Sequence, residues 1–271
     1  MALCYNLFAM TESSSIELNP GFLEALGIME GSSQSVFITG RAGTGKSTLL
    51  QYFRENTRKN IAVLAPTGVA AIHVRGQTIH SFFHFRPDVT PDTVGAVRPV
   101  EPKLYKKLDA IVIDEVSMVR ADLLDCVDMF LHRFGRAPGE PFGGIQMVFI
   151  GDLYQLPPVV KSGEKDLFRE YYDSPYFFSA RSFQEIRPAF VELEKIYRQS
   201  DERFIGILNR IRNNNVSDED LAILNERVQS DYVPGEGGLS STSPPPMRWL
   251  KGLTKKDWRG FREKRRFTRG R

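Results

Sequence analysis

The sequence predicts an α/β fold built on a doubly wound parallel sheet, and three observations predict it. Four short apolar runs rich in Val, Ile and Phe (35–39, 61–65, 110–113 and 146–150) each end in Gly, Pro or a carboxylate, as buried parallel strands do. Stretches with helical spacing separate them, with short connections. The segment Gly40-Arg41-Ala42-Gly43-Thr44-Gly45-Lys46-Ser47 sits where the first run gives way to a helix, and it fits G-x-x-x-x-G-K-[ST].

Taken in order, residues 46–56 follow the glycine-rich segment as a helix and 68–74 follow the second strand. In 121–134, Leu123, Leu124, Val127, Phe130 and Leu131 recur at helical spacing. Residues 83–107 break the alternation: they hold Pro87, Pro91, Pro99 and Pro102 with little periodicity, and read as an insertion over the strand ends. A second unit is expected from Arg187. It opens with the alternating strand 191–197 and continues in helices 203–212 and 217–228, the latter capped by Ser217 with Asp220 three residues on. Residues 1–14 read as a disordered start, 15–186 as the main domain, 187–230 as the beginning of a second, truncated one, and 231–271 as a basic Pro/Ser/Arg-rich tail, disordered or out of frame.

Composition narrows the function classes. At 41% apolar and 25% charged residues, the 271-residue chain has the composition of a soluble globular protein, and no apolar run reaches the ~18 residues that span a bilayer. Cys4 and Cys126 are too few and too scattered for a disulfide framework or a metal knuckle; with first residues that make a poor secretion signal, they lead to the expectation of a cytoplasmic location. The net charge of +3 is asymmetric. Residues 248–271 hold eleven Lys/Arg against Asp257 and Glu263, so the remainder is net acidic and a nucleic-acid footprint there must be local.

The glycine-rich segment points to nucleoside triphosphate. Gly40, Gly43 and Gly45 let backbone N–H groups face phosphates, Lys46 neutralises β/γ charge, and the Ser47 hydroxyl is a Mg²⁺ ligand, with Arg41, Ala42, Thr44 and Thr48 completing the ATP-binding stretch. Asp114 and Glu115 end the third strand; in a hydrolase the first holds Mg²⁺ and the second polarises water. Gln155 follows the fourth strand, where its amide can meet the γ-phosphate and the attacking water, and Arg198 can offer a guanidinium from the second unit. Pro66, Thr67 and Gly68 at a helix start suit a DNA phosphate, while His80 and Phe82 offer rings for base stacking on single-stranded DNA. The same phenylalanines suit a core equally, and His80 with His84 lacks a third metal ligand.

These motifs together resemble the 5′-to-3′ DNA helicases of the Pif/RecD branch of superfamily one. The resemblance covers residues 15–230 and rests on residues 40–48, Ala65-Pro-Thr-Gly-Val-Ala-Ala71, Thr78-Ile-His-Ser81, Ile113-Asp-Glu-Val-Ser-Met118, Gly151-Asp-Leu-Tyr-Gln-Leu-Pro-Pro-Val159 and Tyr197-Arg-Gln199. It implies RecA-like domains with ATP between them and single-stranded DNA or DNA junctions across the top. It also implies a monomeric enzyme of DNA repair, recombination and telomere maintenance, nucleoid-associated in a bacterium or nuclear or mitochondrial in a eukaryote. The roles carried over are Lys46 on phosphate, Ser47 and Asp114 on Mg²⁺, Glu115 on water, Gln155 as γ-phosphate sensor and Arg198 as arginine contact. Two departures stand out. The glutamine that often reads adenine is missing from Pro20–Leu26, and the motifs that complete the second domain are not found. The reading from a different class is a nucleotide-binding, single-stranded-DNA-binding module that does not unwind.

Overall fold

The computed structural model describes residues 19–160, 165–195, 197 and 202–226. Residues 1–14 and 231–271, to which the sequence assigned the disordered start and the basic tail, lie outside the described residues, as does Arg198.

Six parallel strands form one sheet: β1 (Val36–Gly40), β2 (Ile61–Ala65), β3 (Gln77–Thr78), β4 (Ala110–Ile113), β5 (Gln146–Gly151) and β6 (Ala189–Leu193). Their spatial order is β3-β2-β4-β5-β1-β6. β1 lies between β5, with Val36 opposite Val148, and β6, with Val36 opposite Ala189. Alternate residues of each strand point to opposite faces, and this splits the core in two. On one face Val36, Ile38, Val112, Val148, Ile150 and Val191 meet α1 (Pro20–Gly31) and α2 (Lys46–Asn56) through Phe22, Leu26, Leu49 and Phe53. On the other, Phe37, Ile111, Ile113, Met147 and Phe149 meet later helices, chiefly α7 (Ala121–Phe134). Between α2 and α7 come three short helices, α3 (Gly68–His73), α4 (Ile79–Phe83) and α5 (Pro91–Val94), and then α6 (Pro102–Lys107). α8 (Lys165–Tyr171) and α9 (Arg181–Ile186) precede β6.

Two expectations change here. The strand that was to open a second domain from residue 187 is β6, paired along its length with β1 in the same sheet. Its alternating pattern arises because it is an edge strand: Val191 and Leu193 are buried while Phe190 and Glu192 face out. The chain divides instead after Arg198. The insertion over 83–107 is also more ordered than its prolines suggested. Pro91 and Pro102 each occupy the first turn of a helix, where a missing N–H costs nothing. Phe85, Val94 and Tyr105 are buried in the core with Phe83 and Phe130, and the Tyr105 hydroxyl donates to the Phe82 carbonyl at 2.8 Å.

α7 does more than pack. Its Asp125 carboxylate, 7% exposed, accepts from the Tyr172 hydroxyl (2.9 Å), the Ser182 amide (3.0 Å) and hydroxyl (2.7 Å), and the Arg181 amide (3.3 Å). One charged residue thereby satisfies the first turn of α9 and fixes the segment that leads into β6. Cys126 beside it is wholly buried, and burial pushes its thiol far up, so it is an inert core residue.

In the second unit the described residues form α10 (Glu202–Arg212) and α11 (Asp218–Glu226). Ser217 and Asp220 cap α11 reciprocally: the Asp220 amide donates to the Ser217 hydroxyl and the Ser217 amide to the Asp220 carboxylate, both at 3.1 Å. Arg210 makes a two-pronged contact with Asp220 (2.7 and 2.6 Å).

Candidate nucleotide site

The site lies at the carboxyl ends of the strands, where a doubly wound sheet places its ligands. β1 ends at Gly40, whose neighbour across the sheet is Leu193 of β6. A side chain there has no room: a Cβ at Gly40 would lie 2.5 Å from the Thr44 hydroxyl oxygen and 2.6 Å from the Leu193 carbonyl oxygen. The loop turns through Gly43 and Gly45, both with positive φ, into the first turn of α2. Thr44 is buried and its hydroxyl donates inward to the Arg41 carbonyl at 2.9 Å, so it braces the loop and leaves the cavity to others. The Lys46 ammonium donates to the carbonyls of Gly40 (2.6 Å) and Arg41 (3.1 Å).

An open cavity of about 1140 Å³ is lined by Lys46, Ser47 and Thr48 together with Asp114, Glu115 and Gln155. Three loops distant in sequence thus bring an ammonium residue, two hydroxyl residues, two carboxylates and an amide to one space. Part of the reason is steric. Gly151 at the end of β5 packs on the 3₁₀ turn Val116–Met118, where a Cβ would lie 2.9 Å from Val116 Cγ1. That contact holds the Asp114–Glu115 corner against the Asp152–Gln155 turn. Glu115 itself adopts a left-handed backbone (φ 51°, ψ 39°), a conformation that costs a non-glycine residue about 1–2 kcal/mol. Strain at this residue fits a carboxylate aimed by its surroundings.

Asp114 is largely shielded, and burial pushes its carboxyl up to about 6; Glu115 adds a like charge, while the Glu115 amide and Lys46 oppose the shift. Because the folded value exceeds the ordinary 3.8, the folded state gains relative stability at low pH and loses it as pH rises through about 6. The metal-free protein therefore carries a charge penalty at pH 8. Asp114→Asn is expected to raise stability by about 2 kcal/mol at pH 8, with the gain shrinking as pH falls toward 4.5. Urea unfolding in EDTA across that range checks it, and a gain independent of pH refutes it.

Mg²⁺ favours hard oxygen ligands and keeps part of its shell for water and phosphate. Ser47 and Asp114 both line the cavity, and among the described residues no group of three or more His, Cys, Asp or Glu forms a cage. This donor set fits Mg²⁺ brought in with nucleotide. Its chemistry there would be to neutralise phosphate charge.

Of the residues expected to meet DNA, Pro66, Thr67 and Gly68 form the turn from β2 into α3, and Thr67 caps that helix by accepting from the Ala70 amide at 3.2 Å. His80 lies on α4, half-buried, and burial lowers its pKa. Phe82 is a correction. It is 7% exposed, with its ring edge-on to Phe83 (5.0 Å) and Tyr105 (5.5 Å), so its faces belong to the core. The periodicity of a five-residue helix gave no way to tell an inward ring from an outward one.

Sequence reasoning missed one wall of the cavity. Tyr197 donates its amide to the Gly43 carbonyl (2.8 Å), its hydroxyl accepts from the Asn19 side-chain amide (2.7 Å), and with Phe22 it flanks Gly45. Its position beside Arg198 in the Tyr-Arg-Gln motif was the available signal.

Fold and site geometry together define an α/β protein of the RecA-like P-loop class. Comparison with known proteins makes the class specific. The PIF1-like helicase family model matches residues 23–221. The chain is 38% identical over 204 residues to ATP-dependent DNA helicase PIF1 of Saccharomyces cerevisiae, covering 68% of this chain and 22% of that protein. To the human ATP-dependent DNA helicase PIF1 it is 38% identical over 213 residues, 77% of this chain and 32% of that one. Among solved structures, Pif1 helicase from Bacteroides in complex with ADP-AlF3 and single-stranded DNA superimposes with a TM-score of 0.70 at 38% identity, covering 80% of this chain and 52% of that one. The chain belongs to the PIF1-like helicase family. It spans between about a fifth and a third of the length of these two curated relatives.

Proposed function

We propose that this chain supplies the ATP-hydrolysing, DNA-gripping part of a 5′-to-3′ DNA helicase. The observation that carries the reading is the convergence of Lys46, Ser47, Asp114, Glu115 and Gln155 on one cavity. Lys46 exchanges its loop carbonyls for β/γ-phosphate oxygens, Ser47 and Asp114 hold Mg²⁺, Glu115 draws a proton from the attacking water, and Gln155 registers the γ-phosphate. Arg198 is the candidate for the guanidinium that offsets transition-state charge. Single-stranded DNA or a DNA junction is held at the 66–68 turn and by His80, where the Thr67 hydroxyl can donate to a phosphate while still accepting from Ala70. A monomer working in DNA repair, recombination or telomere maintenance, at the nucleoid or in a nucleus or mitochondrion, completes the proposal.

The test pairs two titrations. Lys46→Ala is expected to abolish binding of fluorescent ATP, and His80→Ala to weaken binding of a labelled single-stranded oligonucleotide by about tenfold, as loss of one stacking ring does. Parent-like oligonucleotide affinity in His80→Ala removes that residue from the DNA path. Nucleotide-independent oligonucleotide binding with no hydrolysis favours the non-unwinding module instead.

A further inference from the structure

The fourth-strand motif holds a carboxylate that the proposed reaction leaves idle. Asp152 follows β5 directly, is 3% exposed, and has no place among the residues lining the nucleotide cavity. Its two oxygens are nonetheless committed to the turn that carries Gln155. One accepts the Tyr154 amide at 3.0 Å; the other accepts Nε2 of Gln155 at 3.3 Å. The backbone closes the same turn, with the Gln155 amide donating to the Asp152 carbonyl at 2.9 Å. Pro157 and Pro158 follow, and Pro158 is buried, so the turn is stiff on its far side. Gln155 is exposed and reaches the cavity.

An ionised carboxylate only accepts hydrogen bonds, whereas a glutamine amide has a donating end and an accepting end that are nearly the same shape. The partner therefore decides which end faces where. With Nε2 drawn to Asp152, the carbonyl oxygen Oε1 is the end turned from the carboxylate and offered to the site. We infer that Asp152 is a positioning residue that fixes the polarity of the Gln155 amide by holding one N–H of Nε2, so that Oε1 accepts from the attacking water while the second N–H stays available to a γ-phosphate oxygen. In this arrangement the water has two acceptors, Glu115 and Oε1 of Gln155, and its lone pair is left to face phosphorus. The inference rests on the proposed ATP hydrolysis and assigns one step of it.

Asp152→Asn tests the inference because it keeps the shape and removes the constraint: asparagine can satisfy either end of Gln155. Fluorescent ADP is titrated with and without aluminium fluoride, which with ADP places a γ-phosphate mimic and an in-line water in the site. In the parent, fluoride is expected to tighten ADP binding. In Asp152→Asn the affinity for ADP alone should be unchanged and the tightening should fall by about tenfold, the scale of one charge-assisted hydrogen bond. Gln155→Ala should lose as much, and the double variant Asp152→Asn/Gln155→Ala no more than Gln155→Ala alone, since Asp152 acts through Gln155. Additive losses in the double variant, or weaker binding of ADP alone in Asp152→Asn, would show a general structural role and overturn the inference. Full tightening in Asp152→Asn overturns it as well. A parent that fluoride does not tighten refutes the hydrolytic reading itself, and the inference with it.

Discussion

Glu115→Gln should bind ATP as tightly as the parent and hydrolyse it about 10²–10⁴-fold more slowly, the range a positioned general base contributes. The substitution keeps the shape and the left-handed backbone of the residue and removes only its ability to take a proton. In the proposed reading binding rests elsewhere, on the loop at Gly43–Thr48 and the Lys46 ammonium, so the two effects should separate. Single-turnover hydrolysis beside an ATP titration distinguishes them. Retained turnover would place the base at another residue, while lost binding would mean that Glu115 contributes to ground-state capture.

The largest effect on stability is expected at Asp125. Its carboxylate accepts four hydrogen bonds, from Tyr172, Arg181 and both donors of Ser182, with 7% of the residue exposed. Asp125→Ala leaves the two buried donors of Ser182 and the partly buried ones of Tyr172 and Arg181 without an acceptor, and each buried unsatisfied group costs about 1–3 kcal/mol. Some recover water, so the net loss should be about 3–5 kcal/mol, a large part of the stability of a domain this size. Asp125→Asn should lose less, since one oxygen can still accept. Urea midpoints of the three proteins decide the matter; a loss under 1 kcal/mol in the alanine variant would mean that the segment before β6 is held by its apolar contacts alone.

The parts of this molecule that were legible in its sequence are those whose cause is local. The runs that became β1, β2, β4 and β5 were readable because strands buried on both faces are apolar throughout. The glycine-rich loop declared itself by spacing, and Asp114, Glu115 and Gln155 by their places after strands. β6 was seen as a strand and put in the wrong place. Alternation records that one face is exposed, and an edge strand of an existing sheet shows it as readily as the first strand of a new one. Phe82 and Tyr197 depend on partners far along the chain: Tyr105 covers the first, and Asn19, across 178 positions, holds the second. No window of neighbouring residues contains that information.

The bonds from Lys46 to the carbonyls of Gly40 and Arg41 change the meaning of affinity at this site. The loop carries an internal ligand, so nucleotide bound as proposed would displace a tethered competitor rather than enter a waiting socket. What is gained on capture is the difference between two sets of contacts, and what is lost on release is recovered at once by the lysine folding back. In a nucleotide-driven cycle of the kind proposed, a lysine that folds back onto its own loop would ease the departure of spent nucleotide.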